Sequence, residues 1–219
     1  MATIAAENLL KAILELGENG ETVIAARLAE FLKISSAAVS MALKRLQRKG
    51  LVRVADKRSI QLTPQGIRSA TELVRRHRLV ERLLTDVLKM PWEKVHEEAE
   101  KLEHAISPEL ERRLLELFGA NGKCPHGNPF TPRLPHRRAP HTFPLTEAPE
   151  NRRLRVARIA ELHEKEKDFL ESLADLSLKP GSQLVLLRKA FDGILELKVG
   201  GKKATFASQS GARIWVEAV

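Results

Sequence analysis

His77 and Glu81 stand four residues apart, and His96, Glu100, Glu103 and His104 follow within a nine-residue span. Residues four apart in an α-helix share a face. At roughly 100° per residue, the second group falls on a stripe about 100° wide. Val95, Ala99, Leu102 and Ile106 occupy a separate stripe that faces a core. Two facing helices bearing imidazoles and carboxylates in this way can enclose one or two divalent cations. The set contains no thiol, so it suits manganese, iron(II), cobalt or zinc and leans toward the harder ions. Taken singly, either His/Glu pair reads rather as a hydrogen-bonded pair on a solvated helix. Six such residues on two consecutive helices favour the metal reading. Cys124 and His126, with His136 and His141 downstream, lack a second cysteine and a regular spacing, and are expected not to be ligands. His163 is expected to be solvated.

The elements that must position these residues follow from periodicity. Residues 1 to about 120 read as helix after helix with one short β interruption. Ile4, Leu9, Leu10, Ile13, Leu14 and Leu16 define an amphipathic helix that Gly17 and Gly20 terminate. Thr22 is expected to cap a second helix, and Ser35 or Ser36 a third that ends at Gly50. Two short strands follow, Leu51–Val54 and Ser59–Leu62, and Thr63-Pro64 opens a long helix reaching about Leu88. Residues from about 121 to 150 are rich in Pro, Arg and His without periodicity, as in a linker or covering loop. From about 151 onward, glycine-punctuated apolar runs predict a small barrel or sandwich.

Helix, helix, turn, helix and hairpin in this order predict a winged helix-turn-helix, whose third helix enters a major groove. Its leading residues Ser35, Ser36, Ala37, Ala38, Ser40 and Met41 would let the backbone approach DNA, with Arg45, Arg48 and the wing residues Arg53, Lys57 and Arg58 meeting phosphates. No long bidentate reader stands at the tip, so affinity would come from phosphates and specificity from DNA shape or methyl contacts. The alternative is a solvated basic face of a helical bundle. The net charge of +9 favours a polyanionic partner. One cysteine excludes an intrachain disulfide, and no apolar run approaches the ~20 residues of a membrane span. With no signal-peptide pattern at the N-terminus, a cytoplasmic protein is expected. Scarce aromatics argue against a single-strand stacking platform. No nucleophile motif, phosphate loop or HExxH supports a metallohydrolase, and a metal-independent winged-helix regulator is the other alternative.

Three stretches carry a resemblance. Leu46 to Val54 with Arg58-Ser-Ile-Gln-Leu-Thr-Pro-Gln-Gly66, His77-Arg-Leu-Val-Glu-Arg-Leu-Leu-Thr-Asp86, and Val95-His-Glu-Glu-Ala-Glu-Lys-Leu-Glu-His104 resemble the diphtheria toxin repressor family of iron- and manganese-dependent regulators, in its three-domain form. The loop Cys124-Pro-His-Gly-Asn-Pro is similar as well. The resemblance implies a mainly α chain with a small β part, comprising a DNA-binding domain over 1–73, a helical metal-binding and dimerisation domain over 74–140, and a small FeoA-like β-barrel over 150–219. It implies two metal sites per subunit. An ancillary site would use His77, Glu81 and His96, completed by Glu161 and Glu164, and a regulatory site would use Asn8, Glu100, Glu103 and His104. Glu100, where iron-type members have cysteine, points to manganese, with iron as the alternative. Asn8 departs from the family's Met or Asp, and Lys11 from the Glu of some manganese-type members, which disfavours a two-manganese cluster. The implied function is a metal-dependent transcriptional repressor of metal homeostasis genes. It would be a homodimer on double-stranded operator DNA, with no enzymatic activity, small-molecule substrate or membrane. The two-fold contact would come from Leu102, Ile106, Leu110, Leu114 and Phe118, with intrachain core as the alternative for the same residues.

Overall fold

The computed structural model describes residues 3–55, 58–132, 141–160 and 166–219. Helices α1 (Ile4–Glu18), α2 (Ala25–Leu32) and α3 (Ser36–Arg48) precede a two-stranded antiparallel hairpin of β1 (Val52–Val54) and β2 (Ile60–Leu62). Leu9, Leu10, Ile13, Leu14 and Leu16 of α1 pack against Leu28, Phe31, Val39, Leu43, Leu46 and Ile60 in one core. The turn between α2 and α3 is tight because Lys33 adopts a left-handed conformation, φ 53°. Ser35 then caps α3 by accepting from Ala38 N at 3.1 Å, an interaction worth about 1 kcal/mol.

Thr22 does not cap α2. The N-cap is Ile24, because the preceding chain is drawn into an extended course where Val23 O accepts from Ile60 N at 2.8 Å. Thr63 caps α4 (Pro64–Asp86) through Gly66 N, with Pro64 in the first turn as expected. This helix of 23 residues begins at the wing and carries His77 and Glu81 in its second half.

After α5 (Val95–Leu102) the chain tightens into a 3-10 turn over Glu103–Ala105 and continues as α6 (Pro108–Phe118). Tightening at Glu103 turns that carboxylate into the interior, where it is 2% exposed. Of the apolar residues expected at a dimer contact, Ile106 and Leu114 are intrachain core instead, packed against Val80, Val95, Leu79 and Phe130. Leu102 and Leu110 remain exposed, and so does Leu117.

The third unit is a six-stranded antiparallel sheet in the order β3-β8-β4-β5-β6-β7: β3 (Thr142–Pro144), β4 (Arg153–Ile159), β5 (Gln183–Lys189), β6 (Ile194–Val199), β7 (Lys202–Ala207) and β8 (Ile214–Ala218). The sheet, with α7 (Glu166–Asp175) and the short α8 (Ser208–Gly211), encloses a core of Leu154, Val156, Leu170, Leu173, Leu186, Leu197 and Val216. Among the described residues no helix is long and apolar enough to cross a membrane.

Candidate metal centre and nucleic-acid interface

Glu81 lies at the focus of three imidazoles. Its Oε1 is 3.2 Å from His77 Nε2, 3.1 Å from His96 Nδ1 and 3.1 Å from His126 Nδ1. His77 and His96 face each other at 3.0 Å. All four side chains are buried, and Glu81 Oε2 has no hydrogen-bond partner among the described residues. Two of the three rings are oriented from behind. His126 Nε2 donates to the Trp92 carbonyl at 3.1 Å, leaving Nδ1 to face Glu81. His77 Nδ1 donates to Glu103 Oε2 at 2.5 Å, leaving Nε2 to face the cluster. An imidazole whose far nitrogen is fixed by a carboxylate or carbonyl is the usual state of a metal ligand.

Cys124 joins the same focus, since one ligand atom each from Glu81, Cys124 and His126 lies within 4.8 Å of the others. Sequence spacing had set aside Cys124 and His126. The signal available was their Cys-Pro-His proximity, and only the fold brings that loop onto α4. Glu161, Glu164, His136 and His163 lie outside the described residues, as does Lys57.

Charge balance in the cluster rests on protons. Burial opposes ionisation of Glu81, but His126 and His77 outweigh it and hold the carboxyl well below the usual range. Burial and the Lys11 charge disfavour protonation of His77, yet Glu81 and Glu103 push its pKa up to about 9. Buried imidazoles that share protons with carboxylates can exchange those protons for a divalent cation. The residues present therefore fit a metal: the donors converge, one carboxylate oxygen is orphaned among the described residues, and the His77 and His126 rings are locked from behind.

The second set gathers where α1 meets α5 and the 3-10 turn. His104 Nε2 is 2.8 Å from Asn8 Oδ1, and its Nδ1 is 2.8 Å from Glu7 Oε2. Glu103 Oε1 is 3.6 Å from His104 Nε2, and Glu100 Oε1 is 3.6 Å from His96 Nε2. Asn8, Lys11, Glu100 and Glu103, with Phe31, Leu32 and Lys33, line a cavity of about 300 Å³. Glu7 was not picked out from sequence. Lys11 is the unexpected member, 2% exposed, with Nζ 2.7 Å from Glu103 Oε2 and 3.1 Å from His77 Nδ1. Burial works against its charge, but Glu103, Glu15 and Glu100 hold the ammonium above its ordinary range. Glu103 in turn is pushed down to about 2, because Lys11 and His77 overcome the cost of burial.

On the opposite face of the first unit, Ser35, Ser36, Ala37, Ser40, Met41, Arg45 and Arg48 are exposed, Ala38 is half-buried, and Arg58 is exposed in the hairpin at φ 60°. Val39, Leu43 and Leu46 hold this helix from behind. A short-side-chain tip followed by arginines on an anchored helix has the shape and charge to enter a major groove.

Comparison with known proteins bears on this arrangement. The model of the N-terminal DNA-binding domain of iron-dependent repressors matches residues 1–60. Their metal-binding and dimerisation domain matches residues 63–132, and an FeoA domain matches residues 143–218. The diphtheria toxin repressor of Corynebacterium diphtheriae is 36% identical, with 96% of each chain covered. The iron-dependent repressor IdeR of Mycobacterium leprae is 32% identical over 97% of this chain and 96% of its own. A solved manganese-dependent transcriptional repressor in complex with manganese superposes with a TM-score of 0.83 at 29% identity, covering 98% of this chain and 100% of that one. With relatives and all three domain models matching along nearly its whole length, the chain belongs to the diphtheria toxin repressor family and is a metal-dependent, DNA-binding transcriptional repressor.

Proposed function

We propose that this repressor is activated by manganese, with iron(II) as the alternative, at two sites per subunit. The ancillary site would be held by His77, Glu81 and His96, with Cys124 and His126 added from the loop and Glu161 and Glu164 as further candidates. The regulatory site would be held by Asn8, Glu100, Glu103 and His104. The observation that carries the reading is the buried convergence of three imidazoles on Glu81, with Oε2 of that carboxylate left without a partner among the described residues. Oxygen and imidazole donors dominate both sets, which suits manganese and iron(II), whereas Cys124 adds a softer donor to the ancillary one.

Bound at the second set, a divalent ion would supply the charge that ties carboxylates of the dimerisation domain to α1. Asn8 and Glu7 on α1 already meet His104. Fixing α1 fixes the winged helix built on it, and hence the separation of two recognition helices in a homodimer. Exposed Leu102, Leu110 and Leu117 fit the two-fold contact. Ser35, Ser36, Ala37, Ala38, Ser40, Met41, Arg45, Arg48 and Arg58 would form the DNA-binding face of a cytoplasmic regulator of metal homeostasis genes.

The test is selection of duplexes from a random-sequence pool with manganese chloride, followed by affinity measurement with manganese and with a chelator. Tight binding with manganese and its loss with chelator are expected. Glu100→Ala combined with His104→Ala should remove that difference while the circular dichroism spectrum is kept. Binding indifferent to the chelator would favour a metal-independent regulator.

A further inference from the structure

The end of α1 is gripped from two other domains. Arg78, 1% exposed on α4, donates to Glu18 Oε2 at 2.7 Å and to the Pro129 carbonyl at 2.8 Å. Arg158, on β4 of the third domain, donates through Nη1 to Asn19 Oδ1 at 2.9 Å and to Asn128 Oδ1 at 3.2 Å. Asn19 is the C-cap of α1, and no basic residue of α1 itself lies in its last turn. Cations at that position complement the partial negative charge of a helix C-terminus. Arg158 is not a loose arm. Its guanidinium stacks over Trp215 at 4.2 Å, and the two residues face each other across β4 and β8 beside a bulge.

The loop carrying Cys124 and His126 is fastened to the same stretch of β4. Ile159 N donates to the His126 carbonyl at 2.8 Å, and Asn128 Nδ2 donates to the Ile159 carbonyl at 2.9 Å. Gly127, at φ +84°, lies so close that a Cβ there would sit 2.5 Å from the Ala157 carbonyl oxygen. Glycine is the residue such an approach requires. One strand of the third domain thus touches the ancillary loop with its backbone and the DNA-binding domain with one side chain.

We propose that Arg158 is the positioning residue through which the third domain couples the Cys124–His126 loop to α1, so that this domain takes a direct part in metal activation of DNA binding. The inference rests on the function proposed above. Removing the grip frees the end of α1, and the freedom lost on activation must then be paid from metal binding.

The experiment uses the full-length protein, manganese chloride and a labelled duplex selected on the wild type with manganese. Arg158→Ala and Asn19→Ala should each raise the manganese concentration for half-maximal DNA binding by about fivefold or more, the scale of a typical coupling between sites. The double variant should shift it no further than either single one. Hydrogen exchange of the 17–21 and 124–130 amides should accelerate in Arg158→Ala, and Arg158→Lys, which keeps the charge, should recover part of the manganese midpoint. An unchanged midpoint and exchange pattern in a wild-type-like responder, or strictly additive single variants, would overturn the Arg158 inference. A wild type that ignores manganese would instead overturn the functional reading beneath it.

Discussion

His77 donates its Nδ1 proton to Glu103 Oε2 over 2.5 Å, so a residue of one candidate metal set orients a residue of the other. Lys11 points its ammonium at the same carboxylate oxygen from 2.7 Å, and its 3.1 Å approach to His77 Nδ1 follows from that shared acceptor. Glu103 therefore serves two neighbours, one on α4 and one on α1, besides offering Oε1 toward His104.

Neutralising that carboxylate should be felt at the ancillary set. Loss of the partner behind a ligating imidazole weakens metal binding about 10- to 100-fold. Glu103→Gln is expected to do so for manganese at the His77 cluster. Trp92 reports on it, because its ring packs on His126 with centroids 5.2 Å apart. Equal manganese midpoints for Trp92 emission in variant and parent would show the two sets to be independent.

Above pH 6.5, acidification should raise metal-free stability and lower metal affinity. The His77 pKa is raised from 6.5 to about 9. Its stabilisation of the metal-free fold is complete below 6.5 and is lost as the pH climbs through about 9. Glu103, lowered from 4.5 to about 2, stabilises above 4.5 and ceases to do so as the pH falls toward 2. Metal-free stability, read by urea unfolding, should thus decline on both sides of the interval between 4.5 and 6.5. Manganese must displace the His77 proton, so its affinity should rise up to about pH 9 with proton release, visible by calorimetry in buffers of different ionisation enthalpy. A pH-independent affinity would contradict a protonated His77.

Lys11 is the cation that offsets the buried carboxylates in the metal-free protein. Removing one partner of a buried ion pair typically costs about 3–5 kcal/mol. Lys11→Met, which keeps an unbranched side chain one atom shorter and removes the charge, is expected to lower metal-free unfolding free energy by that order. A loss under about 1 kcal/mol, the range of exposed pairs, would mean that Glu103 is compensated by His77 alone.

The winged helix was legible because its signals are local. Ser35 and Thr63-Pro64 are caps acting within three residues, and the α1 and α3 apolar periods need no distant partner to be read. Thr22 misled because a tertiary hydrogen bond from Ile60 to Val23 outcompeted a local cap. Spacing argued against His126 and Cys124 for the same reason: their arrival at Glu81 depends on the hold of β4 on Gly127 and Asn128, about 30 residues later. Lys11 could not be foreseen as buried, since a lysine between apolar residues ordinarily extends its ammonium to water. Within the apolar stripe of α6, Leu110 faces outward, whereas Leu114 covers Leu79 and Phe130.

The long fourth helix has a geometric consequence. Its first residue, Pro64, abuts the wing, and thirteen residues later it presents His77. At 1.5 Å per residue that separation is about 20 Å. A tilt of one degree about the His77 end then displaces the wing end by about 0.3 Å, and ten degrees displaces it by about 3.4 Å, close to the rise of one base pair. The helix works as a lever arm, and a tilt of about ten degrees at its metal-bearing half would carry the hairpin across a full step of the DNA ladder.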